Sequence, residues 1–484
     1  MKTARRQSAV RLEKFGRAAG LMSAGLLLAF ACKSFQVDEN VYTGPSVSAR
    51  AGSSSSGVGF TSPDVGGSTS TAGTVGNAGS SGTSAAQGGG DVAANAGATS
   101  RGGASSVGGT SGEVEPEPDE PFSKAALLRQ VADCAIAQYA DFADNARHFE
   151  AAAKANVAAP TPTSALELRN AWLAANSSWQ VAEVFRFGPA ARSADADPGA
   201  QELRDQIYAW RFGGRCPVET ALADQVYASP TFGTSLINNR GLGAAEYLLF
   251  YPGTDNECPD YSAINKQGTW VALGADEIIS RKRAYAAAIA ADVLANAEKL
   301  IAAWDPAAGN FRRQLSQPGS GSVYKDEQTA LNAVFFGMFY IEKEVKDYKI
   351  GIPVGANAEC VSGLCPEAIE SRYANVSTAN IRRNYLGFRR LFQGCGSKFS
   401  GLGFDDWLDA VGASELRIRM LSALDGAQAA IDALDPPLEV SVTAHTDRVF
   451  VVYNALKVLT DLIKSDFVTV LDLELPIGAG TDND

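Results

Sequence analysis

The sequence predicts an all-α fold, two helical bundles carried behind a long flexible tether. Three observations predict it. Across residues 122–484, apolar side chains recur at spacings of three and four, the period of one helix face. Strand signals, meaning β-branched alternation bounded by tight turns, are scarce over the same residues. Composition also shifts near residue 121, from a stretch rich in Gly, Ser, Ala and Thr to one with large apolar side chains. About 360 residues follow that shift, enough for a large core or two subdomains.

Residues 1–31 read as an export signal. Lys2, Arg5, Arg6, Arg11, Lys14 and Arg17 make a basic start, and Leu21 to Ala31 is an apolar run too short to span a bilayer comfortably. The run ends in Ala29-Phe30-Ala31-Cys32, which resembles a bacterial lipoprotein cleavage site with Cys32 as the lipidated first residue. The bland alternative is a plain secretory signal with an incidental cysteine. Residues 32–121 cannot build a core and read as a disordered tether, closed by the acidic, proline-containing spacer Glu113 to Pro121. A lipid anchor and tether place the folded part in the cell envelope, outer membrane or periplasm-facing, with the membrane as a partner.

The folded part is read in chain order. Ala125 to Lys154 is an alanine-rich amphipathic helix ended by Ala158-Ala159-Pro160. Ser164 and Glu167 have capping-box spacing. Leu168, Trp172, Ala175, Trp179 and Ala182 then form a bundle-helix stripe that stops at Gly188-Pro189. Ala190 to Pro217 is looser, and Tyr251 to Asn265 is a loop. Asp276 to Trp304 is a long helix, and Leu331 to Tyr348 another. Pro366 suits the first turn of the next helix, and Ile381 to Phe392 mark a further one. Leu416 to Leu434 and Val449 to Ile463 supply the last helices. A join near residues 265–275 divides these into a first bundle, 122–270, and a second, 271–484.

Charge and cysteines narrow the class. The chain carries 42 basic and 54 acidic residues, a net charge of −12. Residues 1–31 hold six basic residues and one acidic one, so the remainder carries −17. That balance argues against nucleic acid as a partner and suits solubility in the envelope or cationic and metal-bearing ligands. Apart from Cys32 there are six cysteines: Cys134, Cys216, Cys258, Cys360, Cys365 and Cys395. An even number in an exported chain favours disulfides. Cys360 and Cys365 can close a small loop, Cys395 can pair with either, and one bond can link the two halves. Zinc binding by these cysteines is the sharper alternative, but no Cys-x-x-Cys occurs.

Four stretches resemble the imelysin family of bacterial envelope proteins. Ala171-Trp172 through Trp179 to Phe185-Arg186-Phe187-Gly188-Pro189 is similar to its first signature, and Ile207-Tyr208-Ala209-Trp210 to its Ile-Tyr-x-Trp. Gly241 to Phe250 is similar to its Gly-x-His-x-x-Glu segment followed by Tyr-Leu-Leu-Phe. Glu370-Ser371-Arg372-Tyr373, followed by Ile381 to Phe392, is similar to its second-half signature. Gly478 to Asp484 also resembles the family's acidic terminus. The resemblance covers most of 125–484. It implies two related helical bundles, an exported or lipid-anchored location and a site in the crevice between the halves. Some members look like peptidases and others like parts of iron-uptake systems, so the family leaves function open.

One departure matters most. Where the family motif has histidine, this chain has Gly243, and its only histidines are His148 and His445. A hydrolytic zinc normally takes three protein ligands, mostly His with a carboxylate. No Gly-x-Ser-x-Gly elbow occurs, and Gly241-x-Gly243 lacks the third glycine and the preceding strand of a nucleotide fingerprint, so no nucleotide cofactor is expected. Asp405-Asp406 and Asp482-Asn483-Asp484 read as solvated acids. Glu246 remains, a carboxylate bordering an apolar helix face. It either contacts a ligand or a metal ion, the metal being the one cofactor left open, or it forms a structural ion pair with Arg186, Arg240 or Arg372. The candidate ligand-binding set is Glu246, Gly241, Gly243, Arg186, Trp210, Glu370 and Arg372, with no catalytic residue assigned. Trp210 can equally pack, and Glu370 can equally favour a helix N-terminus. The expected function is a non-enzymatic, lipid-anchored binding protein of a small ligand, a metal species or an envelope protein, with an iron-uptake association. A peptidase and a structural or adhesive surface module are the alternatives.

Overall fold

The computed structural model of the chain describes residues 121–484 except 196, 211, 212, 477, 478 and 480–484. The export signal, Cys32 and the tether lie outside the described residues, as does the acidic terminus apart from Ala479. Among the described residues every regular element is a helix and none is a strand. No described helix is long and apolar enough to cross a membrane.

Helix α1 (Lys124–Ala158) starts where Ser123, in extended conformation, accepts the Ala126 N–H at 3.1 Å. Helix α2 (Pro162–Ala182) carries its capping box one turn earlier than Ser164 and Glu167 suggest. Thr161 is the N-cap, Pro162 opens the helix, and the Ser164 hydroxyl closes the box. The stripe of Leu168, Trp172, Ala175, Trp179 and Ala182 is buried, as its spacing requires. Phe142 of α1 meets Trp179 of α2 with ring centroids 4.7 Å apart. Truncating a buried tryptophan costs about 3–5 kcal/mol, so this seam is a principal support of the first helices.

Shorter elements follow: α3 (Leu203–Ile207), α4 (Arg215–Ala223), α5 (Gly241–Phe250) and α6 (Ala263–Lys266). Helix α7 (Thr269–Trp304) is kinked at Gly274, whose φ of 72° is non-helical. The helix expected from Asp276 is its straight part. After α8 (Phe311–Ser316) and α9 (Glu327–Met338), the single helix expected from Leu331 to Tyr348 divides. Its second part is a π-helix, Ile341–Gly351, in which Glu342, Glu344, Lys346, Asp347 and Lys349 are all buried. A π-helix closes i→i+5 bonds and so has a wider turn. Pro366 begins only a 3₁₀ turn, Pro366–Ala368. The chain finishes with α10 (Ser377–Gln393), α11 (Phe404–Ala410), α12 (Ser414–Asp432), α13 (Leu438–Ala444), α14 (Thr446–Leu462) and α15 (Val468–Leu471).

Helix α1 lies along α2 and α7, and α7 also packs on α5. Later in the chain, α12 packs on α14, and the π-helix packs on α10 and α14. The division read near residue 270 falls in the first turn of α7, whose length lies against α1. The two groups of helices meet where α10 crosses α2. The approach is close: a Cβ added at Gly387 would stand 2.6 Å from the Val181 carbonyl oxygen. Three disulfides fix the remainder. Cys134–Cys395 ties α1 to the end of α10, Cys216–Cys258 ties α4 to the loop after α5, and Cys360–Cys365 closes a small loop. These bonds pair all six cysteines among the described residues, so none of those is a free thiol for zinc.

Two glycines test this packing. Gly387→Ala should destabilise by about 1–3 kcal/mol through overpacking. Gly426→Ala in α12, where an added Cβ meets nothing within 4 Å, should stabilise by up to about 1 kcal/mol. Denaturant unfolding of the two variants beside the parent chain measures both signs.

Candidate functional site

The site is built where α5 meets two other segments. Gly241 opens α5 with φ +77°, and a Cβ there would fall 2.6 Å from the Ile207 carbonyl oxygen. That close approach seats α5 on the end of α3 and the residues after it. Gly243, two residues on, is different. A Cβ there would meet only Tyr208 Cε2 at 3.7 Å and Trp210 Cα at 3.9 Å, ordinary van der Waals contacts. Three residues later Glu246 projects inward and is 5% exposed.

A cavity of about 120 Å³ opens here. Its wall includes Trp210, the Gly214–Arg215 start of α4, Gly243, Glu246 and Tyr247 of α5, and Ser371, Arg372 and Tyr373 from the strap before α10. Glu246 Oε1 accepts the backbone N–H groups of Tyr373 at 2.9 Å and Ala374 at 3.0 Å. None of the ion pairs considered for it forms. Arg186 pairs with Glu344 at 3.0 Å, Arg240 with Asp292 at 3.0 Å, and Arg372 lies 3.8 Å from Glu257. Of the candidate residues, Trp210, Gly243, Glu246 and Arg372 share the cavity. Gly241, Arg186 and Glu370 are not in its wall.

Glu370 stands behind the cavity in a buried polar network, with no exposed surface. Tyr208 donates its hydroxyl to Glu370 Oε1 at 2.7 Å, and Lys349 Nζ of the π-helix stands 2.9 Å from the same carboxylate. Lys349 also donates to Gln180 and Asn384, each at 2.7 Å, and to Glu183 at 3.2 Å. Tyr340 donates to Glu183 at 2.6 Å. This arrangement replaces the helix-end role considered for Glu370. No sequence signal marks Lys349, whereas Tyr208 and Tyr373 sit inside the quoted signatures.

Burial pushes the Glu246 carboxyl from 4.5 up to about 7. The Tyr373 and Ala374 N–H groups and Arg372 oppose the rise, and the charge of Glu370 adds to it. The same surroundings raise the Tyr208 phenol, through burial first and then the Glu370 charge. At the other end of α5, Lys282 caps the helix by donating to Tyr251 O at 3.0 Å and Gly253 O at 2.7 Å. Burial brings its ammonium down to about 8. Asp405, read as solvated, is instead buried on α11 with Arg417 Nε at 3.5 Å, and burial lifts it to about 6.

Among the described residues no three His, Cys, Asp or Glu side chains stand close enough to hold a metal ion. The carboxylates on the cavity wall are Glu246 and Glu367, and no imidazole is there. This donor set does not fit a three-ligand hydrolytic zinc.

These features define a helical-bundle protein with a small cavity of mixed polar and apolar lining between its two groups of helices. The chain belongs to the imelysin family, whose description, Imelysin, matches residues 135–465. It is 24% identical over 262 residues to iron-regulated protein A of Synechococcus elongatus, a match covering 54% of this chain and 61% of that relative's length. Its fold resembles a crystal structure described as an iron-regulated protein A precursor from Parabacteroides distasonis, with TM-score 0.54, 17% identity and coverage of 74% of this chain and 96% of the other. An imelysin-like protein from Psychrobacter arcticum is similar at TM-score 0.50 and 17% identity, covering 72% and 96%.

Two outcomes are expected at this site. A carboxyl with a folded pKa above its unfolded value binds more protons when folded, so stability falls as pH rises from 4.5 to about 7. Glu246→Gln should therefore stabilise by about 3 kcal/mol above pH 7, with the gain vanishing toward pH 4, in thermal unfolding scans across that range. Gly243→His should fold, since the position has room, and should gain no zinc affinity by calorimetry because the other ligands are missing.

Proposed function

We propose that this protein is a lipid-anchored, non-enzymatic binding protein of the bacterial cell envelope, serving iron acquisition. Its ligand enters the cavity beside Glu246. One observation carries the reading: the position where the family motif has histidine is Gly243, and it borders a cavity whose described wall holds two carboxylates, Glu246 and Glu367, no imidazole and no three-ligand metal set. The site keeps the means of holding a small molecule and lacks a set of groups that would activate water. The name of the Synechococcus relative, iron-regulated protein A, supports the link to iron. The sequence at Cys32 supports the anchor, and the tether to residue 121 lets the folded part stand off the membrane.

Fractionation tests the anchor: Cys32→Ser should move the protein from the membrane pellet to the soluble fraction. Protease assays of the purified protein on unstructured substrates should show no turnover. Turnover that Glu246→Gln abolishes would replace the binding role with the peptidase one.

A further inference from the structure

The cavity wall sets cationic donors on Arg215, Arg240 and Arg372 beside acceptors on Glu246, Glu367 and Asn238, whose Oδ1 has no hydrogen-bond partner among the described residues. Arg215, Arg240 and Arg372 line its wall. Arg240 is committed to Ser235, Asp292 and Gln206. Arg215 bonds through Nε to Glu219 and through Nη2 to Asp255, so its Nη1 has no hydrogen-bond partner among the described residues. Arg372 uses Nη1 on the Glu367 carbonyl and Nη2 on the Tyr373 hydroxyl, leaving Nε similarly free.

The backbone adds to this. Helix α4 begins at the cavity, at Gly214–Arg215, and the start of α5 borders it through Arg240, Gly243 and Ala244; neither helix has a side-chain N-cap. First-turn N–H groups favour negative charge. Glu246 is the independent sign of a ligand. It is 95% buried and lines the cavity, and its Oε1 is satisfied while Oε2 has no hydrogen-bond partner among the described residues.

We infer that the cavity binds a small oxyanion, carboxylate- or phosphate-bearing, and that Glu246 enters the complex as the neutral acid, donating the proton on Oε2 to the ligand. This rests on the binding role proposed above and sharpens it: a metal reaching this site arrives inside an anionic chelate, because a bare cation would meet guanidinium groups and too few carboxylates. Arg215 Nη1 and Arg372 Nε supply the charge-assisted bonds, and Trp210 and Tyr247 face the ligand's carbon skeleton.

The proton balance sets a pH dependence. The groups facing Glu246 are Tyr208 and Trp210 from the segment after α3, Arg215 from α4 and Tyr247 on its own helix. From the strap and the turn before it come Tyr373, Arg372, Glu367 and, behind Tyr208, Glu370, and Arg240 lines the same wall at the start of α5. Between about pH 6.5 and 8.5 the carboxyl loses its proton, so binding at the higher pH must take one proton up.

Calorimetry of the purified protein tests this, with succinate as the carboxylate probe and inorganic phosphate as the other. Succinate is predominantly the dianion across the range, whereas phosphate titrates within it, so succinate alone serves for the pH series. Expected is one-to-one binding of at least one anion. If succinate binds, affinity falls about tenfold or more from pH 6.5 to 8.5, and heats differ between buffers by the uptake of one proton. Arg372→Ala should abolish binding. Glu246→Gln, which keeps a neutral donor, should bind equally at both pH values. Failure of both anions, anion binding that survives Arg372→Ala, or a pH dependence of succinate binding that survives Glu246→Gln overturns the inference. If both anions fail and a bare ferric or zinc ion then binds, the binding role survives without it; if neither binds, that role falls too.

Discussion

The ammonium of Lys349 holds the two groups of helices in register. It reaches Gln180 and Glu183 at the end of α2, Asn384 of α10 and Glu370 of the strap, all within 3.2 Å. A buried charge without partners costs several kcal/mol, and a broken buried pair costs about 3–5 kcal/mol. Any shift of α10 against α2 or of the strap against both would strip Lys349 of acceptors. The network therefore selects one relative placement, although its net contribution to stability is small. The cavity inherits that placement, because Glu370 of the network and Tyr373 of the cavity wall lie three residues apart on one strap.

Helix existence was legible because bundle helices bury one face. The stripe through Trp172 and Trp179 leaves no other reading, and its burial agrees. Boundaries and local form were less so. Thr161 rather than Ser164 caps α2, since the proline at 162 already fixes the helical start. The π-helix was hidden because Val345 and Tyr348 continue the three-and-four spacing of the helix before it. Only the hydrogen-bond geometry shows that five buried charges share one wide-turned segment.

The site was legible in part. Glu246 stood out as a carboxylate among apolar residues, and Gly243 as a missing side chain. Its actual partners are backbone N–H groups 127 and 128 residues away, and main-chain donors carry no sequence signature. Arg186 was drawn toward the site by its place in a signature, yet its partner Glu344 lies on the π-helix. Absence of a side chain at 243 acts on both volume and chemistry: it leaves space beside Tyr208 and Trp210, and it leaves Glu246 without a neighbouring imidazole to share a metal.

The Cys134–Cys395 bond, spanning 261 residues, has a consequence for biogenesis. Cys134 emerges first among the six and cannot reach its partner until every helix through α10 has been delivered. Meanwhile Cys216, Cys258, Cys360 and Cys365 pass by in turn, each able to capture the waiting thiol. The nested pairs Cys216–Cys258 and Cys360–Cys365 lie close in sequence, at separations of 42 and 5, and so can close early and remove those competitors. Correct assembly thus depends on the short loops oxidising before the long one, a sequence of events that a disulfide isomerase would guard.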